Sequence, residues 1–166
     1  MIEWSGHTSA LESIAYLLLD NKLEKSSITI DNPSDENSKL DLEIGIMKNC
    51  HKDIQIINNT PYITCEFFVT GNIESSGKKF DYTKSENILK VEKSAEKYLK
   101  TLITDYLYKI SREYNSDIFN FENMYTKKCL TNKELEAIHF KDIYKDSVFD
   151  VTVNVDIGSS NLFEKE

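Results

Sequence analysis

The sequence predicts an α+β fold, an antiparallel or mixed β-sheet of about four to five strands packed against one long amphipathic helix. An N-terminal helix precedes the sheet, and short helices precede a C-terminal strand. Three observations carry this. The stretch from Thr83 to Arg112 contains no Gly or Pro, and Ile88, Val91, Ala95, Tyr98 or Leu99, Leu102, Tyr106 and Ile110 recur at steps of three and four. Leu89, Ile103 and Leu107 widen that stripe, while Lys and Glu fill the opposite face. Strict alternation marks strands at Leu40 to Ile46 and at Ile63 to Ile73, and again at Phe149 to Ile157, where apolar residues alternate with Asp150, Thr152, Asn154 and Asp156.

Taken in order, Ser9 to Asp20 places Leu11, Ile14, Ala15, Leu18 and Leu19 on one helical face, with Thr8 or Ser9 as cap and Asn21 as stop. Ser27 to Asp31 alternates as a strand, and the turn formers of Asn32 to Ser38 lead into the next. In that strand Gly45 marks a bulge or a close approach. A separate short extended segment runs from Asp53 to Ile57, and Asn58-Asn59-Thr60-Pro61 turns the chain into a hairpin. The run from Ile63 to Ile73 is then the longest strand, with Cys65 in its core phase and Phe68 as the apolar exception on its wet face. Thr83 and Glu86 stand at capping-box spacing before the long helix. Beyond Arg112, Asn115, Ser116 and Asn120 interrupt the pattern, so a short helix is expected around Ile118 to Tyr125 and another from Asn132 to Phe140, with Thr131 and Glu134 at capping-box spacing.

The 166 residues, 40% hydrophobic and 29% charged, suit one domain spanning 1–166. A net charge of -8 argues against nucleic acid, since phosphate binding relies on clustered Lys and Arg. The apolar run Ile14 to Leu19 is too short to span a bilayer and lacks the basic flank of a signal peptide. Three cysteines without a CxxC pair signal neither zinc nor a disulfide framework, and Cys50 and His51, as neighbours on an extended chain, point to opposite faces.

Catalytic chemistry finds little support. His7, His51 and His139 lie in unrelated contexts, and neither a phosphate-binding glycine loop nor a nucleophile elbow is present. Neither a cofactor nor a metal is signalled. The aromatic residues Tyr114, Phe119, Phe121 and Tyr125 can be core or can line a ligand groove. Asp117, just after Asn115-Ser116, is placed to cap the turn that follows the long helix.

The order of segments resembles the C-terminal domain of the Ger(x)C family, the C subunits of spore germinant receptors. Trp4 and the run Ile14 to Leu19 resemble the tryptophan and apolar helix that open the family domain. Leu40, Leu42 and Ile44, then Pro61-Tyr62-Ile63-Thr64, then Gly71-Asn72-Ile73-Glu74, are similar to its strand series. The Lys/Glu-rich helix followed by Ser116-Asp117-Ile118-Phe119-Asn120-Phe121 resembles its helix and Asp-Ile-Phe-Gly-Phe-Gly turn, with Asn120 and Glu122 where the pattern has glycines. The strand Val148 to Ile157 closes the domain as in the family. The resemblance implies a non-enzymatic part of a longer lipoprotein, lipid-anchored at the outer surface of the inner spore membrane. It would act there in receptor assembly and nutrient-triggered germination, beside the membrane-embedded A and B subunits. Asp117, Phe119, Phe121 and Trp4 are the residues it marks as an interaction surface or structural turn. The alternative is a nutrient-binding domain with an aromatic groove near Phe119 and Phe121.

Overall fold

The computed structural model describes residues 10–35, 37–76, 84–131 and 138–158. Helix α1 (Ala10–Leu19) leads into strands β1 (Ser26–Asp31), β2 (Lys39–Ile57) and β3 (Thr60–Ser76). The long helix α2 (Ser85–Lys109) runs into a π-helical turn, Ile110–Tyr114, and among the described residues the short helices α3 (Phe121–Thr126) and α4 (Phe140–Ile143) follow. A single 3-10 turn, Tyr144–Asp146, then feeds β4 (Val148–Ile157). The four strands lie in the order β1-β2-β3-β4. The first three pair antiparallel and β4 pairs parallel to β3, so the sheet is mixed.

One face of the sheet meets the helices. Ile28 and Ile30, then Leu40, Leu42 and Ile44, then Ile63, Cys65, Phe67 and Val69, and the odd-numbered residues from Phe149 to Ile157 form one buried cluster with α1 and α2. On α2 the buried stripe is Val91, Ala95, Leu99, Ile103, Tyr106 and Leu107, at roughly 1.5 to 3 kcal/mol for each large side chain fully buried. Two residues assigned to helix stripes by spacing alone face water instead, Leu89 at 55% exposure and Leu11 at 44%. Leu11 is the second residue of α1, and Leu89 stands two residues before the buried Val91, on the opposite side of α2. Lys84 occupies the N-cap of α2, and Thr83 lies outside the described residues, as do Thr8 and Ser9.

The two segments expected at Leu40 to Ile46 and Asp53 to Ile57 are one strand. β2 is continuous over 19 residues and exceeds the 17 of β3, so the longest strand is not the one predicted. Register shifts between Ile46 and Lys48 and between Lys48 and His51 explain why alternation fails in its middle. Each shift puts an unequal number of residues opposite one another and bends the strand. Gly45 marks a close approach, since a Cβ there would lie 2.9 Å from the Glu24 carbonyl oxygen. Phe68 on the wet face is covered by Lys48, whose ammonium stands 3.4 Å from the ring centroid. Asn58 and Asn59 both have positive φ, 50° and 62°, which is what a tight two-residue hairpin turn requires.

At the β4 edge, α2 covers the backbone donors. The amides of Val155 and Ile157 donate to the carboxylates of Glu96 (3.2 Å) and Glu92 (3.0 Å), and that of Phe149 donates to the Tyr108 hydroxyl (3.4 Å).

Candidate functional site

The segment after α2 is built from two left-handed asparagines and one carboxylate. Asn115, at φ 45° and ψ 43°, ends the π-helical turn, and its amide donates to the Ile110 carbonyl. Asn120, at φ 58° and ψ 40°, reverses the chain into α3. Asparagine adopts this conformation more readily than other residues with a Cβ, so it serves where the family pattern has glycine. Between the two, Asp117 accepts hydrogen bonds from the Phe121 amide at Oδ1 (2.9 Å) and the Glu122 amide at Oδ2 (2.8 Å). A six-residue helix cannot nucleate alone, and this carboxylate satisfies two of its free donors. The sequence places the cap on the turn after the long helix; the structure refines this, because the bonds are made forward to α3, which begins at Phe121 rather than near Ile118.

Phe119 and Phe121 point inward. Phe121 is fully buried, and its ring lies 6.2 Å from Phe119, 6.5 Å from Tyr144 and 6.5 Å from Phe149. Phe119 meets Tyr16 of α1 at 5.9 Å and the Lys52 ammonium at 5.2 Å, while Phe140 stacks on Tyr144 at 5.5 Å. These rings join the turn to α1, α4 and β4. An aromatic groove at Phe119 and Phe121 is therefore corrected: both rings are spent on the core, and neither lines an open surface. Tyr114, by contrast, is exposed, and Tyr125 is half-buried.

Outside the rings lies an open polar cleft of about 500 Å³, lined by Asn115, Asp117, Asn120, Glu122, Asn123 and Lys141 among others. At its floor Tyr144 is 1% exposed, and its hydroxyl has no hydrogen-bond partner among the described residues. Burial first, and then the Asp117 charge, push this phenol above its usual range. Asn115 Nδ2 donates to the Lys141 carbonyl (3.2 Å), fastening α4 to the end of α2. The cleft offers carboxamides and carboxylates to solvent, but its innermost carboxylate is already committed to the backbone of α3.

Asp117, Phe119 and Phe121 thus come together in one turn, and Trp4 lies outside the described residues. Sequence reasoning missed Phe140 and Tyr144, which complete the aromatic cluster. Phe140, Ile143 and Tyr144 do stand at helical spacing, but the element is too short for a periodic signal. The helix expected from Asn132 falls on residues 132–137, outside the described residues, with only the neighbourhood of Phe140 in view. Among the described residues, no group of three His, Cys, Asp or Glu side chains converges on a metal-sized site, and His51 and His139 are exposed.

The fold is similar to that in the crystal structure of the GerBC protein, with a TM-score of 0.71 and 17% identity over 92% of this chain. The match covers 47% of that chain, so the sequence spans about half the length of the protein it resembles. No curated protein matches the sequence. The family described as spore germination B3/GerAC-like, C-terminal, matches residues 3–161. From the strand series through the Asp117 turn to the closing strand, the whole described fold lies inside that match, and the chain belongs to this C-terminal domain family of germinant receptor C subunits.

Proposed function

We propose that this domain is a non-enzymatic, extracytoplasmic module of a germinant receptor C subunit, acting in receptor assembly and so in nutrient-triggered spore germination. The observation that carries this reading is the family match over residues 3–161. Its partners would be the membrane-embedded A and B subunits, with the lipid anchor supplied by sequence outside this chain at the outer surface of the inner spore membrane. Among the described residues no helix is long and apolar enough to cross a membrane, which suits a module held to the membrane by another part of the protein.

The turn supports a scaffolding role. Asp117 spends both carboxylate oxygens on α3, and the rings beneath it are packed against Tyr16, Tyr144 and Phe149, so the segment presents a fixed polar surface rather than a reactive group. Exposed Tyr114 beside that surface combines apolar area with a polar tip, the chemistry enriched at protein interfaces. The test is deletion of this domain from the receptor gene in a spore former. The expected outcome is loss of the nutrient response together with reduced amounts of the A and B subunits. A normal response with normal subunit levels would overturn the proposal.

A further inference from the structure

The outer side of α2 carries a line of four lysines. Lys90, Lys93, Lys97 and Lys100 recur at steps of three and four, and all are exposed. They lie opposite the buried stripe of Val91, Ala95, Leu99 and Ile103, and at about 1.5 Å per residue the line runs for roughly 15 Å. Lys90 pairs with Glu86 at 3.0 Å, one turn earlier, while Lys93, Lys97 and Lys100 meet no carboxylate among the described residues. Glu92 and Glu96, which precede Lys93 and Lys97 in the chain, are turned to the β4 edge, where they accept from the Ile157 and Val155 amides.

The net charge of -8 is therefore unevenly placed. On the face of the sheet that points away from the helices, Asp41, Glu43, Glu66, Asp150 and Asp156 share the outward phase. Of the lysines there, Lys25 and Lys39 are held in ion pairs and Lys48 lies on the Phe68 ring, which leaves carboxylates in excess. One side of the molecule is a basic ridge, and the opposite side is an acidic plane.

We propose that the lysine ridge of α2 is a docking surface for an anionic phospholipid bilayer, with the ammoniums at the headgroup phosphates and the acidic sheet face turned to water. A straight row of ammoniums on a rigid helix matches a plane of phosphates, and each cation within a Debye length of the surface adds attraction. Leu89, exposed at the head of the row, supplies an apolar side chain at headgroup depth. The residue type favours lipid over an acidic protein surface. Lysine is a mobile point charge suited to phosphates in many geometries, whereas the planar fork of arginine suits a fixed carboxylate. The single arginine, Arg112, lies beyond α2 on the Tyr108 ring. The setting at a membrane rests on the proposed receptor role, but partition onto vesicles is read without it, so a ridge that fails leaves that role standing.

The test is sedimentation of the folded chain with vesicles of equal parts phosphatidylglycerol and phosphatidylcholine at about 0.1 M salt, where a Debye length of about 10 Å screens the far side of the molecule. The chain is expected to pellet with these vesicles, to stay in solution with phosphatidylcholine alone, and to be released at about 1 M salt. Lys93→Gln, Lys97→Gln and Lys100→Gln together should weaken partition at least about tenfold with the circular dichroism unchanged, since all three side chains are exposed. Lys25→Gln, Lys39→Gln and Lys48→Gln together make the same change of charge on the sheet face, and should weaken it less than about threefold. Failure to pellet with the phosphatidylglycerol vesicles, or equal weakening by the two triple variants, would overturn the proposal. Retention on polyglutamate without partition onto vesicles would overturn it too, and would assign the ridge to an acidic protein surface.

Discussion

The two edges of the sheet are finished in different ways. At β4, side chains of α2 meet three amides that point away from the sheet. At β1 the Asn32 amide bonds inward to the Ser38 carbonyl, so alternation turns the backbone of Asp31, Thr29 and Ser27 outward. Among the described residues the Asp31 carbonyl alone bonds to the helix there, accepting from the Ser94 hydroxyl at 3.1 Å. β1 relies instead on shortness and on charge, with six residues flanked by the Lys25–Glu43 and Lys39–Asp31 ion pairs. The difference teaches that α2 is more than a lid over the core. It replaces a missing neighbouring strand along the one edge that comes last in the fold.

The comparison can be broken by placing proline at an outward position on each edge. Val155→Pro removes the donor that Glu96 accepts from and disturbs a buried side chain, so about 3 kcal/mol of stability should be lost in urea unfolding. Glu92→Ala and Glu96→Ala should each cost about 1 to 2 kcal/mol, with faster amide exchange at Ile157 and Val155 respectively. Asp117→Asn applies the same logic to the turn, where a carboxylate also stands in for missing backbone acceptors, and should cost about 1 kcal/mol. Thr29→Pro on β1 is the smallest change. Its amide has no bond to lose among the described residues, so the loss should stay within about 1 kcal/mol, mostly from the Thr29–Asp41 side-chain bond. Equal losses for Thr29→Pro and Val155→Pro would erase the distinction between the edges.

Much of this architecture was legible because burial imposes a period. The odd-numbered run from Phe149 to Ile157 and the stripe from Val91 to Leu107 could be placed on the core side from spacing alone. That β4 runs parallel to β3 could not be read, since alternation is the same in either direction. The continuity of β2 was hidden by its register shifts, which scramble the alternation between Ile46 and His51. Glu92 and Glu96 were invisible for a different reason: on a helix face full of Lys and Glu, nothing distinguishes a carboxylate that meets a backbone amide from one that meets water. Asp117 was legible because capping chemistry is local, whereas the burial of Phe119 and Phe121 was one of two open readings, because it depends on Tyr144 and Phe149 far along the chain.

Every described non-glycine residue with positive φ is an asparagine: Asn21, Asn58, Asn59, Asn115 and Asn120. In terms of sequence drift, Asn58, Asn59 and Asn120 answer a demand of the backbone that glycine meets as well, whereas Asn21 and Asn115 also spend their side chains, on the Cys50 amide and the Lys141 carbonyl. Glycine can replace the first three without losing a bond, while a β-branched residue is strained at all five. At such turns identity can fall while the path of the chain is kept, because what the fold asks for is a permitted region of conformation rather than a letter.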